Sequence, residues 1–311
     1  MRITGKITSL LRQKKYKALF STGLVYLNFI RIKIWFGITG KDWHPDLKKT
    51  NKDWIIYTYL KQKYKRFLKN YPAHSNEEHK YSNIIWWCWL QGEENAPALS
   101  KKCLESLRLH IPDKEIKIIT SDNMYDYVDF PDYIKEKYAH GKISHAHFSD
   151  LLRLQLLIKY GGTWIDATVF CTSRPDYIFN IPLFVFKTKE KNDPATTAQN
   201  WFMSAERNNP ILTLTRDLLF EYWKTHGNAI HYFIFYFFMT LAAEKYPKEW
   251  EAVPWFPDLP PHILQRELNK PYSEARWKQI CRMSDIHKLS YKIDLSEEKN
   301  TFYKRLFVEL D

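Results

Sequence analysis

Glycine is scarce in this chain, with 9 among 311 residues. There is no G-x-G-x-x-G, no G-x-x-x-x-G-K-[ST] and no G-x-S-x-G. A dinucleotide cradle, a P-loop and a nucleophile elbow are therefore excluded, and any phosphate must be held by side chains or by a metal. The four cysteines, Cys88, Cys103, Cys171 and Cys281, form no C-x-x-C pair. That argues against a disulfide framework or a zinc site and for a reducing compartment. The start of the chain does not read as a cleavable leader, because its apolar run is late, interrupted and lacks a small-residue cleavage site. No apolar run reaches the roughly 20 residues that a membrane span needs. Leu24 to Phe36 is broken by Asn28, Arg31 and Lys33, and Ala229 to Ala243 is short and contains His231. The second of these reads as a buried core helix.

What is present is a folded composition, 45% hydrophobic and 16% aromatic, which excludes a disordered chain. The net charge of +12 is localised. Residues 1–70 hold 17 Lys and Arg against Asp42, Asp46 and Asp53, while the remainder holds 30 basic and 32 acidic residues. Arg12, Lys14, Lys15 and Lys17 precede the Leu24 to Phe36 stretch. Cations beside Trp, Phe and Ile suit the headgroup boundary of an anionic membrane, where each Lys or Arg contributes about 1 kcal/mol. The alternative is a helical layer packed on the body with its charges solvated. No nucleic-acid-binding motif accompanies the charge, so nucleic acid is not expected as a partner.

The most informative segment is His145 to Phe170, HAHFSDLLRLQLLIKYGGTWIDATVF. Phe148, Leu151, Leu152, Gln155 and Ile158 follow helical spacing. Ser149 or His147 is a candidate start, and Gly161 suits the left-handed position past the end. Thr163 to Phe170 then reads as a buried strand carrying Asp166. Asp150 and Arg153 are three apart, so they share one helix face and can reach one ligand. Such a pair is often only a solvated ion pair, and a lone Asp after a strand is often a turn or cap. In this order and spacing the three outline a site for a charged, polyhydroxylated ligand such as a nucleotide sugar.

Asn70 to Lys80 is polar and turn-rich, which places a boundary near residue 75 between a basic, aromatic-rich segment (1–75) and a main domain (76–311). Strands are expected at Asn83 to Trp89, Glu115 to Thr120 and Leu183 to Lys187. Helices are expected at Ala98 to His110, Ser121 to Val128, Pro131 to Tyr138, 210–226 and 229–245, with a Pro-rich loop from Val253 to Pro261. The alternation indicates an α/β fold with a largely parallel sheet. Ligands of such sheets collect at the C-terminal strand edges. Trp89 and Asp166 both fall there and can share a cleft across 77 positions.

Ser149 to Arg153 (SDLLR), Tyr160 to Thr168 (YGGTWIDAT) and Cys88 to Gly92 (CWLQG) give the chain a resemblance to the capsular polysaccharide synthesis proteins. These are bacterial glycosyltransferases related to glycosyltransferase family 32, and the likeness runs from about residue 80 to about 295. The resemblance implies a GT-A nucleotide-sandwich fold with a mixed, mostly parallel sheet, and a nucleoside diphosphate sugar, UDP-linked by expectation, as donor. It implies a saccharide or lipid-linked acceptor and retention of anomeric configuration. Asp150 and Arg153 would hold sugar hydroxyls and diphosphate, with Gly162 beside them. Trp89 would stack on the base, and Asp166 would be the first Asp of a D-x-D, touching ribose and Mn²⁺ or Mg²⁺. The second position is Thr168, a weaker ligand than a carboxylate. Thr168 then acts through a water, another residue supplies charge, or metal dependence is reduced. In Ser284 to Lys292, His287 is a candidate metal ligand, Asp285 a further one, and Lys288 and Lys292 candidates for the diphosphate; a surface turn is the alternative. Asn200 and Glu206, in Gln199 to Glu206, are candidates beside the anomeric carbon. The enzyme is expected in the cytoplasm, peripheral on the inner face of the membrane. The rival reading is a non-catalytic membrane adaptor whose domain is degenerate at Thr168.

Overall fold

A computed structural model describes residues 45–72, 81–188, 195–296 and 298–308, together with Leu27. The basic, aromatic segment expected at a membrane surface, residues 1–40, lies outside these apart from Leu27. In chain order the elements are α1 (Pro45–Lys63), α2 (Lys65–Asn70), β1 (Ile84–Cys88), α3 (Ala98–His110), β2 (Glu115–Ile119), α4 (Met124–Tyr127), α5 (Asp132–Ala139) and α6 (His145–Tyr160). Then come β3 (Gly162–Ile165), β4 (Val169–Cys171), β5 (Leu183–Lys187), β6 (Ala198–Ala205), α7 (Pro210–Thr225), α8 (Ile234–Lys245) and α9 (Pro247–Glu251). The chain continues through α10 (Ile263–Glu267), α11 (Glu274–Met283) and β7 (Ile286–Lys288).

The five-stranded sheet has the order β2-β1-β3-β6-β5. β1 pairs in parallel with both β2 and β3, and β6 runs antiparallel to its neighbours β3 and β5. Four strands thus point one way and β6 alone opposes them, so the α/β class with a mixed, mostly parallel sheet is what the chain adopts. The chain leaves β1 for β2 on one side and returns to β3 on the other. The C-terminal ends of β1 and β3 therefore form a topological switch point, where such sheets open a crevice.

Strand alternation divides the core. Trp86 and Trp164 face a helical layer of α6, α7 and α8, whereas Ile85, Trp87 and Ile165 face the opposite side with Leu104 and Leu107 of α3. Ile56, Tyr57, Leu60 and Tyr64 belong to the first of these cores, so the helices before residue 75 pack on the same body as the sheet. A third cluster joins Leu99 and Cys103 of α3 to Leu264, Ile280, Leu289 and Phe302. The apolar run around residue 235 is a buried core helix as expected, although it begins at Ile234 rather than 229. The histidine that interrupts this run, His231, lies 3.2 Å from the buried Asp53. No helix among the described residues is long and apolar enough to cross a membrane.

Two local expectations change. α6 starts at His145 with Ser144 as its cap, the Ser144 side chain accepting from the His147 amide, rather than at His147 or Ser149. The expected strand Thr163 to Phe170 is two strands. β3 ends at Ile165, the Asp166 amide donates to the Trp201 carbonyl at 2.9 Å, and the Val169 amide closes a turn onto the Asp166 carbonyl at 3.0 Å. Asp and Thr accept such turns readily. β4 then leaves the main sheet and pairs antiparallel with β7. The Asp166-Ala167-Thr168 turn is consequently held between two sheets.

Candidate active site

The switch point carries a cavity of about 420 Å³. Its floor is built by α6, by the turn after β3, by the start of β6 and by β7. Asp150 and Arg153, one helical turn apart, both point into it from α6, as their spacing implies. The Arg153 guanidinium is almost fully buried, and its Nη2 lies 3.4 Å from Asp150 Oδ1 and 3.6 Å from Asp166 Oδ1. Arg153 also donates to the Ser149 carbonyl and hydroxyl and to the Asn200 carbonyl. Its plane sits 4.9 Å from the Trp164 ring centroid. Three hydrogen bonds and two carboxylates fix this planar fork, so the side chain has little freedom to move.

Asp166 receives three approaches. Trp164 Nε1 donates to Oδ1 at 2.9 Å, Arg153 faces the same oxygen, and Lys288 Nζ lies 3.2 Å from Oδ2. Burial alone would raise the Asp166 carboxyl. The Lys288 ammonium, then Arg153, with hydrogen bonds from Trp164 and Lys288, outweigh it and hold the group below its ordinary value. Asp150 behaves oppositely. Burial pushes it up to about 7, with Arg153 opposing and Asp166 adding to the rise. Its Oδ1 accepts from Asn200 Nδ2 at 2.8 Å, and Asn200 Oδ1 in turn accepts from the Tyr236 hydroxyl at 2.7 Å.

Thr168 Oγ1 accepts a hydrogen bond from Lys288 Nζ at 2.5 Å. The pairing is set by the small sheet, in which Lys288 stands opposite Val169 and the Leu289 amide donates to the Thr168 carbonyl at 2.8 Å. Trp89, just past β1, lines the cavity beside Tyr291, the two rings meeting edge to face at 5.5 Å.

Asp150, Arg153, Asp166, Thr168, Asn200, Lys288 and Trp89 are thus brought together in one cavity. The remaining candidates lie elsewhere. His287 is fully buried and directed away from the cavity, because successive strand residues face opposite sides and Lys288 takes the inner one. Its Nε2 contacts Thr172 Oγ1 at 3.1 Å, and burial drives its pKa down to about 4. Asp285 accepts from Ser173, on the strand end that leads away from Lys288. Glu206 follows β6 at the sheet edge opposite Asn200, where its amide donates to the Pro182 carbonyl. Gly162 opens β3 at that same far edge; with φ +95°, a Cβ there would meet the Ile84 carbonyl oxygen at 2.4 Å. It is a packing glycine rather than a ligand contact. Lys292 is exposed and outside the cavity wall, its Nζ 5.8 Å from the Tyr291 ring centroid.

Ser149, Tyr236, Tyr232 and Tyr291 also line the cavity, although no motif in the sequence marks the three tyrosines as site residues. Tyr236 carries a signal: a hydroxyl in the apolar first two turns of α8 needs a buried partner.

The donor set does not suit Mn²⁺ or Mg²⁺. Among the described residues no three His, Cys, Asp or Glu come together as ligands. Both Asp166 oxygens face cationic groups, and the Thr168 hydroxyl is engaged by Lys288. Hard divalent ions take oxygen ligands, carboxylates above all.

The profile of a family described as capsular polysaccharide synthesis protein matches residues 43–306. The chain belongs to this family. Among characterised relatives, the O-glycosyltransferase braB of Annulohypoxylon truncatum is 26% identical over 165 residues, covering 47% of this chain and 38% of that protein. Inositol phosphoceramide mannosyltransferase 3 of Schizosaccharomyces pombe is 26% identical over 153 residues, covering 48% and 40%. The chain thus spans about two-fifths of the length of these relatives. Among solved structures, the PaToxG glycosyltransferase superposes with a TM-score of 0.40 at 17% identity, covering 75% of this chain and 94% of that one.

Proposed function

We propose that the protein is a glycosyltransferase that moves a sugar from a nucleoside diphosphate sugar, UDP-linked in the first instance, to a saccharide acceptor during synthesis of a bacterial surface polysaccharide. The observation that carries the reading is the convergence of Asp166, Arg153 and Lys288 on one cavity at the β1/β3 switch point. Two cations suit a diphosphate, and carboxylates suit sugar hydroxyls. Trp89 offers an indole face for a base. Asp150 and Asn200, held by Arg153 and Tyr236, are suited to sugar hydroxyls near the reacting carbon. Membership of the family and the names of the two fungal relatives, an O-glycosyltransferase and a mannosyltransferase, agree with sugar transfer.

The proposal extends to a lipid-linked acceptor, to retention of configuration and to a site on the inner face of the cell membrane, to which the basic residues 1–40 would hold the enzyme. Incubation of the full chain with a panel of nucleotide sugars should give slow donor hydrolysis; absence of both hydrolysis and nucleotide binding would sink the reading. Deletion of residues 1–40 should abolish co-sedimentation with anionic vesicles, and unchanged sedimentation would remove the membrane role. Thr168, in place of a second carboxylate, favours one rival: a non-catalytic adaptor, revealed by nucleotide binding without turnover of any donor.

A further inference from the structure

We propose that the diphosphate site of this chain is built around the Lys288 ammonium in place of a divalent cation. The inference rests on the donor reading above and specifies the chemistry of the same site.

Three observations converge on Lys288. Its Nζ lies 3.2 Å from Asp166 Oδ2 and 2.5 Å from Thr168 Oγ1, so the ammonium itself bridges the two polar positions of the D-x-T turn. The second of those positions carries a hydroxyl, which cannot balance an extra two charges but accepts well from an ammonium. The lysine is also pinned. β7 holds its backbone against Val169, the adjacent amide is bonded to the Thr168 carbonyl, and its side chain is 19% exposed. An ammonium has three donors. Asp166 and Thr168 take two, and the third is available to a diphosphate oxygen in the cavity that Lys288 lines. Arg153 supplies a second fixed positive charge 3.6 Å from Asp166.

The chemistry balances without a metal. The anomeric carbon–oxygen bond breaks with its electron pair moving onto the diphosphate, the acceptor hydroxyl oxygen bonds to that carbon, and the hydroxyl proton passes to the released diphosphate. Lys288 stays protonated throughout and stabilises the charge that develops on the leaving group.

The test uses the full chain stripped with EDTA and titrated calorimetrically with UDP, GDP, ADP and CDP, with Mn²⁺ binding followed by electron paramagnetic resonance. We expect one of these nucleotides to bind with the same affinity in EDTA and in excess Mn²⁺. K288M should weaken that binding by about tenfold or more, and should lower donor turnover about 100-fold, the loss typical of one preorganised donor. The double variant T168D/K288A should acquire Mn²⁺ binding and require Mn²⁺ for nucleotide affinity. Wild-type affinity that collapses in EDTA and returns with Mn²⁺ would overturn this inference while leaving sugar transfer standing. So would unchanged nucleotide affinity in K288M. Absence of binding by all four nucleotides, with and without Mn²⁺, would overturn it together with the donor reading. The wild-type chelation arm needs no substitution, so it decides the matter even where a variant does not fold.

Discussion

Asp150 and Asp166 flank one guanidinium, with Arg153 Nη2 3.4 Å from the first and 3.6 Å from the second, yet their carboxyls are displaced in opposite directions. The difference is local. Asp166 adds a lysine and an indole N–H to the shared arginine, whereas Asp150 has an amide and a deeper position. One cavity therefore presents a carboxylate fixed as an anion beside a carboxyl that titrates near neutrality, a separation of roles typical of working sites.

That displacement makes stability depend on pH in a way a second buried group opposes. Asp150, raised from 3.8 to about 7, keeps its proton when folded over a range where the unfolded chain has lost it, so its contribution is lost as pH rises through that window. His287, lowered from 6.5 to about 4, stays neutral when folded while the unfolded chain takes up a proton, so its contribution is lost as pH falls from 6.5 to about 4. The two offset each other between about pH 4 and 6.5. D150N should leave the histidine slope, with stability rising more steeply with pH than in the wild type; H287N should leave the opposite slope. Each slope is bounded by about 1.4 kcal/mol per pH unit for one linked proton. Urea unfolding of the three proteins across this range measures them, and parallel curves would contradict the assignment.

Asp166→Asn preserves shape and removes the charge that orders Lys288 and Arg153. Donor turnover should fall by about 100-fold or more, as when a preorganised electrostatic contact is lost, with the circular dichroism spectrum unchanged. Turnover at the wild-type rate would show that the reacting centre lies elsewhere.

How much of this was legible beforehand follows from periodicity. The pairing of Asp150 with Arg153 and the convergence of Trp89 with Asp166 were readable because helix spacing and parallel strand ends are local rules. The errors arose where a contact depends on a distant partner. No local pattern marks β6 as a strand, because its pairing with β3 and β5 is set by the whole sheet. Without it, Glu206 and Asn200 looked like neighbours, although they sit at opposite sheet edges. Likewise the sequence places His287 and Lys288 at one site, as metal ligand and diphosphate contact, whereas the β7 register lets only one of two adjacent side chains face inward.

Gly162→Ala tests the far end of the same strand. The φ of +95° and the approach of the Ile84 carbonyl leave no room for a Cβ. The substitution should cost about 1–3 kcal/mol through backbone strain, with additional displacement of β1. The measurement is the urea midpoint. A stability equal to that of the wild type would mean that β1 and β3 separate more easily than their register indicates.

Trp89 gives a prediction that separates binding from chemistry. Its ring lines the cavity just past β1, set edge to face against Tyr291, and it is removed in sequence from the Asp166 turn where charge develops. Stacking on a base would contribute about 1–3 kcal/mol, equally in the ground and transition states. Trp89→Ala should therefore raise the donor KM with little change in kcat, the signature of lost uniform binding. Asp166→Asn should do the reverse, lowering kcat more than it raises KM. If Trp89→Ala lowered kcat while KM stayed constant, the indole would belong beside the reacting carbon, and the base would have to be seated against another wall of the cavity.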